Sequence, residues 1–276
     1  MSNIDQKTVS SFGCQWTLLN QAALQPFDQE AMFNLYFRLF PWGKLPSEST
    51  GFDLGCGTGR WAKSVAPRVG KLYLVDASPG ALAVAQANLN GFSNCEFIAA
   101  SVDDMPFPDK SMDFGYSLGV LHHIPDTLSG LKSCVAKLKE GAPFLLYLYY
   151  ALENRPLWFR GLWRISDFFR RFFCYLPERV KQPVTFAIAL FVYFPLARLA
   201  YLVEKFGVDV DAMPLSFYRN RNFYVMRTDS RDRFGTPMEK RFTRNQIEQM
   251  MTAAGLERIE FSAPPYWCAL GYRKTK

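Results

Sequence analysis

Five short apolar runs between Gly51 and Tyr150 alternate with helical segments, and this alternation constrains the fold more than any other feature of the chain. The runs are GFDLG (51–55), KLYLVD (71–76), CEFIAA (95–100), MDFGYSLG (112–119) and APFLLYLYY (142–150). Between them lie RWAKSVA, PGALAVAQANLNG and PDTLSGLKSCVAKLKEG. In the second of these Ser78 is placed to cap a helix, Pro79 takes its first position and Gly91 follows its end. The third is expected to close at Gly141. Such alternation predicts βαβ units on a parallel sheet, and near-continuous apolar strands suit a sheet covered on both faces. The rhythm stops at Ala151 and resumes at Thr243, where TRNQIEQMMTAAG carries a T-x-x-Q capping box (Thr243, Gln246) before Gly255. LERIEFS and YWCALGYR follow as two further strands. The reading is one α/β domain with a long insertion between its fifth strand and its last helix.

The chemistry starts at DLGCGTG, Asp53 to Gly59. Three glycines after a strand let the backbone turn sharply and approach a ligand. The spacing is G-x-G-x-G, with Arg60 where a dinucleotide fingerprint wants its third glycine. Asp76 closes the next strand, where a carboxylate can accept hydrogen bonds from two ribose hydroxyls.

At these residues the chain resembles the class I S-adenosylmethionine-dependent methyltransferases. DLGCGTGRWA is similar to their first motif and LVDAS to the second. FIAASVDDMPFPDKSMDFGYSLGVLHHIPD is similar to the stretch from strand three through strand four, and GLERIEF and YWCALGYRK to the closing strands. The resemblance covers Ser47 to Tyr150 and Phe242 to Lys276; FGCQW, Phe12 to Trp16, more loosely resembles a segment folded over the cofactor. It implies a Rossmann-like, seven-stranded, mostly parallel sheet with helices on both faces and an antiparallel last strand. It also implies S-adenosylmethionine as cofactor. Gly55, Gly57 and Gly59 would line its methionine part with Asp53 near the amino group, Asp76 would hold the ribose, and Ala77 would lie beside the adenine. Where the family often has an acidic residue near the adenine amino group this chain has Ser101, followed by Val102, whose N–H can donate. Leu118 and Gly119 would lie near the sulfonium.

Methyl transfer to a hydroxyl needs a group to take its proton, and histidine suits that at neutral pH. The chain has two histidines, His122 and His123, adjacent and just past strand four, at the carboxyl edge where ligands sit in open α/β sheets. Neighbouring side chains point different ways, so one, His122 by preference, is expected to face the methyl group; the alternative is that both only shape the turn. No metal site is expected, because adjacent histidines do not both readily ligate one ion and no carboxylates stand at ligand spacing.

The net charge of +7 admits nucleic acid, an anionic membrane or an acidic substrate as partner and selects none. Six scattered cysteines form no C-x-x-C pair, and MSNIDQKTVS has no apolar core, so a reducing compartment and no signal peptide are expected. The insertion is aromatic and arginine-rich. On a helical wheel of Arg155 to Pro177, Trp158, Leu162, Ile165, Phe169, Phe172 and Phe173 share one face and Arg160, Arg164, Asp167 and Arg171 the other. That suits a helix packing its apolar face on a core, which is preferred here, or an interfacial membrane helix. Pro183 to Val203 is too short in its charge-free part, and too interrupted by Pro195, for a span; it is expected to roof the site or dip into a membrane. FYRNRNFYVMRTDSRDRFGTP (217–237) reads as a solvated loop with local ion pairs, in preference to a set of arginines gripping a carboxylate or phosphate.

The expected organisation is an N-terminal helical cap (1–46), a cofactor-binding core (47–150), an inserted helical lid or substrate region (151–240) and completion of the core (241–276). The expected function is S-adenosylmethionine-dependent methylation, at oxygen, of a small apolar or lipid-linked acceptor. The partner would be that substrate, with a membrane contacted peripherally as one alternative, and the location cytoplasmic, either free or peripheral at the inner membrane face. An RNA methyltransferase gripping nucleic acid through the basic insertion is the second reading, and a non-catalytic cofactor-binding protein the third.

Overall fold

The computed structural model describes residues 3–21, 23–263 and 267–275; Tyr266, in the stretch read as the last strand, lies outside the described residues, as do Met1, Ser2 and Lys276. The elements in chain order are α1 (Gln6–Leu18), α2 (Pro26–Tyr36), β1 (Thr50–Leu54), α3 (Ala62–Val65), β2 (Lys71–Asp76), α4 (Pro79–Asn88), β3 (Cys95–Ala99), β4 (Phe114–Leu118), α5 (Thr127–Lys137), β5 (Pro143–Tyr147), α6 (Leu157–Phe173), α7 (Glu178–Ile188), α8 (Phe194–Lys205), α9 (Phe223–Gly235), α10 (Arg244–Ala253), β6 (Leu256–Phe261) and β7 (Cys268–Arg273).

The seven strands form one sheet in the order β3-β2-β1-β4-β5-β7-β6. β1 to β5 run parallel, and β7 is antiparallel to both β5 and β6. β1, β4 and β5 are at the centre and are buried almost throughout, which explains their unbroken apolar runs. The strand order reverses between β1 and β4, and at such a switch point the carboxyl ends of the strands open a crevice.

Local chemistry sets the helix ends. The Ser78 Oγ accepts from the Ala81 N–H, with Pro79 at the first position of α4. Both halves of the Thr243/Gln246 capping box form at the start of α10. α5 stops at Lys137, short of Gly141. Gly141 instead takes φ +75° in the turn into β5, its N–H bonded to Arg273 O.

The chain divides into two units. One comprises Met1–Ala22, Gln29–Ala151 and Met238–Lys276 and holds the whole sheet; the other comprises Ala23–Asp28 and Leu152–Pro237. The second is helical. A π turn over Ala189–Tyr193 joins α7 to α8, making one helix of 28 residues, Glu178–Lys205, that passes through Pro183 and Pro195. The widened turn lies just before Pro195, whose ring crowds the preceding turn and which has no N–H to donate. The stretch 217–237 is not a solvated loop: Asn222 caps α9, which buries Val225, Met226, Arg231 and Phe234. Its apolar residues cluster at 223–226 and at Phe234 with no repeat at helical spacing, so the sequence carried no periodic signal for this helix. The small core of this unit is Tyr193, Ala197, Met226 and Phe234.

Helix α6 also departs from expectation. Of its expected apolar face only Phe173 packs on the unit's core, while Trp158, Leu162, Ile165, Phe169 and Phe172 are exposed and Asp167 and Arg170 are buried. Arg170 Nε donates to Asp167 Oδ1 at 2.7 Å and Arg171 Nε to Oδ2 at 3.0 Å, with Arg233 3.6 Å from the same carboxylate. The ion pairs, formed partly by a residue some sixty positions away, pull the polar face inward.

Candidate functional site

The turn after β1 is shaped by three left-handed glycines, with φ +74° at Gly55, +53° at Gly57 and +76° at Gly59. Each is also hemmed in. A Cβ on Gly55 would lie 2.3 Å from Val120, and one on Gly59 2.7 Å from Leu89. The turn is tied to the end of β2: the Gly57 N–H donates to Asp76 Oδ2 at 2.9 Å, and the Ser78 N–H to Oδ1 at 2.8 Å. Asp76 thus spends one lone pair of each oxygen on backbone and retains the others for a ligand. Ala77 stands half-buried between Asp76 and Ser78.

Asp53 lies deeper, 1% exposed, and its Oδ2 has no hydrogen-bond partner. Burial pushes its carboxyl up to about 8; the nearby Tyr116 hydroxyl opposes the shift, Asp76 adds to it and Arg60 opposes it. A buried carboxyl of this kind is neutral when alone and becomes charged when a cation is placed beside it.

Helix α1 covers the turn. Gly13 lets it approach α4 closely, since a Cβ there would lie 2.7 Å from Ser78 Oγ. Trp16 Nε1 lies 3.2 Å from where a Gly57 Cβ would stand, and the buried Gln15 has an Nε2 with no partner. The Asn88 side-chain amide, on α4, donates to both Thr58 O and Asn20 O at 2.9 Å, clamping the turn to the end of this segment.

Beyond β4 and β5 an arc of rings follows the carboxyl edge of the sheet. Trp61 and Tyr36 have ring centroids 4.7 Å apart, Tyr36 and Tyr147 5.1 Å, Tyr147 and Tyr149 6.0 Å, and Tyr149 and His122 3.8 Å. The arc continues through His123, 4.0 Å from His122, to Phe12 at 5.0 Å and Trp16 at 6.2 Å. His122 is fully buried and neither ring nitrogen has a hydrogen-bond partner. Burial, with His123 and Arg241 adding to it, holds His122 well below the usual imidazole range, so it is neutral at pH 7. His123 Nδ1 lies 2.6 Å from Met238 O; a carbonyl only accepts, so Nδ1 carries the proton.

The remaining residues expected at the site are spread along the same edge. Leu118 ends β4, and Gly119 follows in the left-handed region (φ +82°), its N–H bonded to Tyr147 O. Ser101 is buried, and its hydroxyl donates to Asp104 Oδ2 at 2.7 Å, leaving the oxygen able to accept. The Val102 side chain is part of the sheet's core. Sequence reasoning missed Asn88, Tyr36, Trp61, Tyr147 and Tyr149. The paired tyrosines at the end of the fifth run were a signal, since that run ends at the carboxyl edge. Tyr36 and Asn88 carried none.

Residues 52–146 match the family described as "Methyltransferase domain". Among curated proteins, a demethylmenaquinone methyltransferase of Bacillus licheniformis is 31% identical over 101 residues, covering 35% of this chain and 43% of the relative. A sterol 4-C-methyltransferase of Caenorhabditis elegans is 28% identical over 122 residues, 43% of this chain and 36% of the relative. The chain thus spans less than half the length of these relatives. Among solved structures, a protein of Bacillus halodurans described as a methyltransferase aligns with TM-score 0.52 and 15% identity over 86% of this chain and 98% of its own. A methyltransferase solved with the Trm112 activator of Haloferax volcanii aligns with TM-score 0.51 and 14% identity over 99% and 100%. At these identities the structural likeness is one of fold.

Proposed function

We propose that the chain is a class I S-adenosylmethionine-dependent methyltransferase that methylates a hydroxyl of a small apolar or lipid-linked acceptor; the match of residues 52–146 to a methyltransferase domain supports the reaction class. The observation that carries the reading is the glycine turn bonded to Asp76 beneath Trp16, with the orphaned Asp53 oxygen below it. These features fit the cofactor. Gly55, Gly57 and Gly59 let backbone approach its methionine part, Asp53 offers an uncommitted carboxylate oxygen to its ammonium group, and Asp76 offers its remaining lone pairs to the ribose. Ala77, Ser101 and Val102 would border the adenine, and Leu118 and Gly119 the sulfonium. When bound, S-adenosylmethionine supplies an electrophilic methyl group.

The aromatic arc of Tyr36, Trp61, Tyr147 and Tyr149 supports an apolar acceptor, as ring faces bind carbon skeletons and exclude water. Two relatives carry names that specify menaquinone and sterol chemistry, which agrees with that class. His122 takes the acceptor's proton. It is neutral, and a buried imidazole nitrogen with no protein partner is the kind of atom an acceptor hydroxyl satisfies. His123, held by Met238 O and packed on Phe12, keeps the His122 ring in place. An RNA grip finds less support, because Arg219, Arg221, Arg231 and Arg233 pair with Glu204, Asp28, Glu178 and Asp167.

The test is calorimetric titration with S-adenosylmethionine, followed by transfer of isotope-labelled methyl groups to lipid extracts, soluble phenols and RNA. Labelled lipid or phenol is the expected product. Labelled RNA would overturn the acceptor class, and binding without any turnover would favour a non-catalytic role.

A further inference from the structure

We propose that the exposed apolar faces of α6 and of the Glu178–Lys205 helix form a monotopic docking surface for an anionic lipid bilayer. The proposal rests on the faces of the second unit and on the course of the chain, and does not depend on the methyl-transfer reading.

Outside its small core, this unit turns two helices in the reverse of the usual sense for a protein in water. The long helix turns its small or polar residues inward: Lys181, Thr185, Ala189, Ala197 and Ala200 are buried, with Tyr193 among them. Its large apolar residues face out, Phe191 73%, Leu202 53% and Leu199 49% exposed. On α6, Trp158 is 56% and Phe172 60% exposed, over a buried Asp167–Arg170 pair. In the first turn of the long helix the half-exposed Glu178 pairs with the buried Lys181 and Arg231. Charges paired inside, small residues at helix contacts and large apolar side chains outside are what a lipid-facing unit requires.

The charge selects the bilayer's composition. Between 152 and 237 the chain has 14 arginines and lysines against 8 aspartates and glutamates, so most of the whole chain's +7 lies in this unit. On α6 the exposed apolar residues are flanked on one side by Arg160, Arg164 and Arg171. Arg160, Arg164 and Arg179 make no ion pair among the described residues. An apolar face with a basic rim is the arrangement that lies in a headgroup region, with guanidinium groups at phosphate level.

The Glu178–Lys205 helix is long and apolar enough to cross a membrane by length and composition. Topology argues against a single crossing. β5 precedes it, β7 follows it, and the two pair from Pro143↔Tyr272 to Tyr147↔Cys268, so one crossing would place paired strands on opposite sides. A return crossing by α6 would put Arg160, Arg164, Asp167, Arg170 and Arg171 into hydrocarbon. Shallow burial of both helices avoids each penalty.

The experiment is flotation of the full chain with vesicles of phosphatidylcholine alone and of phosphatidylcholine with phosphatidylglycerol, with S-adenosylmethionine binding and light-scattering mass measured on the same samples. The full chain is expected to float with the mixed vesicles, and to float less as salt rises. Trp158→Ser with Phe169→Ser and Phe172→Ser should lower partitioning at least about tenfold, through lost apolar burial. Arg160→Gln with Arg164→Gln should remove the preference for anionic vesicles. Cofactor binding should be unchanged in both variants, which separates a failure of this surface from a failure of the catalytic reading. Absence of flotation with either vesicle, or flotation indifferent to the serine variant, would overturn the proposal. A stable dimer that the serine variant dissociates, with no flotation, would assign the face to a second copy of the chain instead.

Discussion

The Gly57 N–H donates to Asp76 Oδ2 across 2.9 Å, so the glycine turn after β1 and the end of β2 are one hydrogen-bonded unit. Asp76→Ala therefore removes more than a ligand contact. It leaves the Gly57 and Ser78 N–H groups without their acceptor, at a cost of about 1–3 kcal/mol for each that water does not reach. We expect calorimetry to detect no S-adenosylmethionine binding and the melting temperature to fall. Normal affinity in this variant would remove Asp76 from the site.

Gly57→Val adds a branched side chain at φ +53°, with its Cβ 3.2 Å from the Trp16 indole. Left-handed backbone alone costs a non-glycine residue about 1–2 kcal/mol. The variant is expected to fold with α1 displaced and cofactor binding lost. Gly91→Ala is the control, since nothing lies within 4 Å of a Cβ there, and its affinity should match the parent.

The Asp53 carboxyl gives the stability a pH dependence of definite sign. Its pKa rises from 3.8 to about 8 on folding, so between those values the unfolded chain gives up a proton that the folded chain retains. Its contribution favours folding fully below pH 3.8 and is lost progressively as pH rises towards 8. Asp53→Asn should therefore gain stability relative to the parent as pH increases over this window, read from urea midpoints at fixed temperature. At pH 7 cofactor binding should release a proton from the parent in excess of that released by Asp53→Asn. Parallel stability curves for the two proteins would mean that the carboxyl is already charged.

His122→Ala is expected to lower turnover by about 10²–10⁴, the range of a lost proton acceptor, with cofactor affinity nearly intact. Single-turnover rates beside binding isotherms separate the two. Unchanged turnover would return His122 to shaping the turn.

Asp167 holds Arg170 and Arg171 and lies 3.6 Å from Arg233. Asp167→Ala leaves a buried guanidinium without its carboxylate, and breaking such a pair costs about 3–5 kcal/mol. Phe172→Ser, on the exposed face of the same helix, should change stability by no more than about 0.5 kcal/mol. Urea unfolding of the two variants tests whether α6 turns its polar face inward.

Local pattern carried the sheet, the glycine turn, Asp76, the Ser78 cap and the Thr243 box, because each depends on residues within a few positions of one another and on backbone rules that act at that range. Periodicity along Arg155 to Pro177 likewise separates two faces of a helix. What it cannot contain is which face turns inward, since that depends on what comes to lie opposite. Arg233 beside Asp167 and Arg231 on Glu178 bring the polar faces in, and those partners are more than fifty residues away. The same distance hid the ring contacts of Tyr36, Trp61, Tyr147 and Tyr149, contributed by separate parts of the chain, and the clamp of Asn88 on Thr58. The sequence alone determined where the chain turns and where its glycines and carboxylates fall. Only tertiary packing decided which charges are buried and which aromatic faces are left open, because burial is a property of the pair in contact and not of either residue.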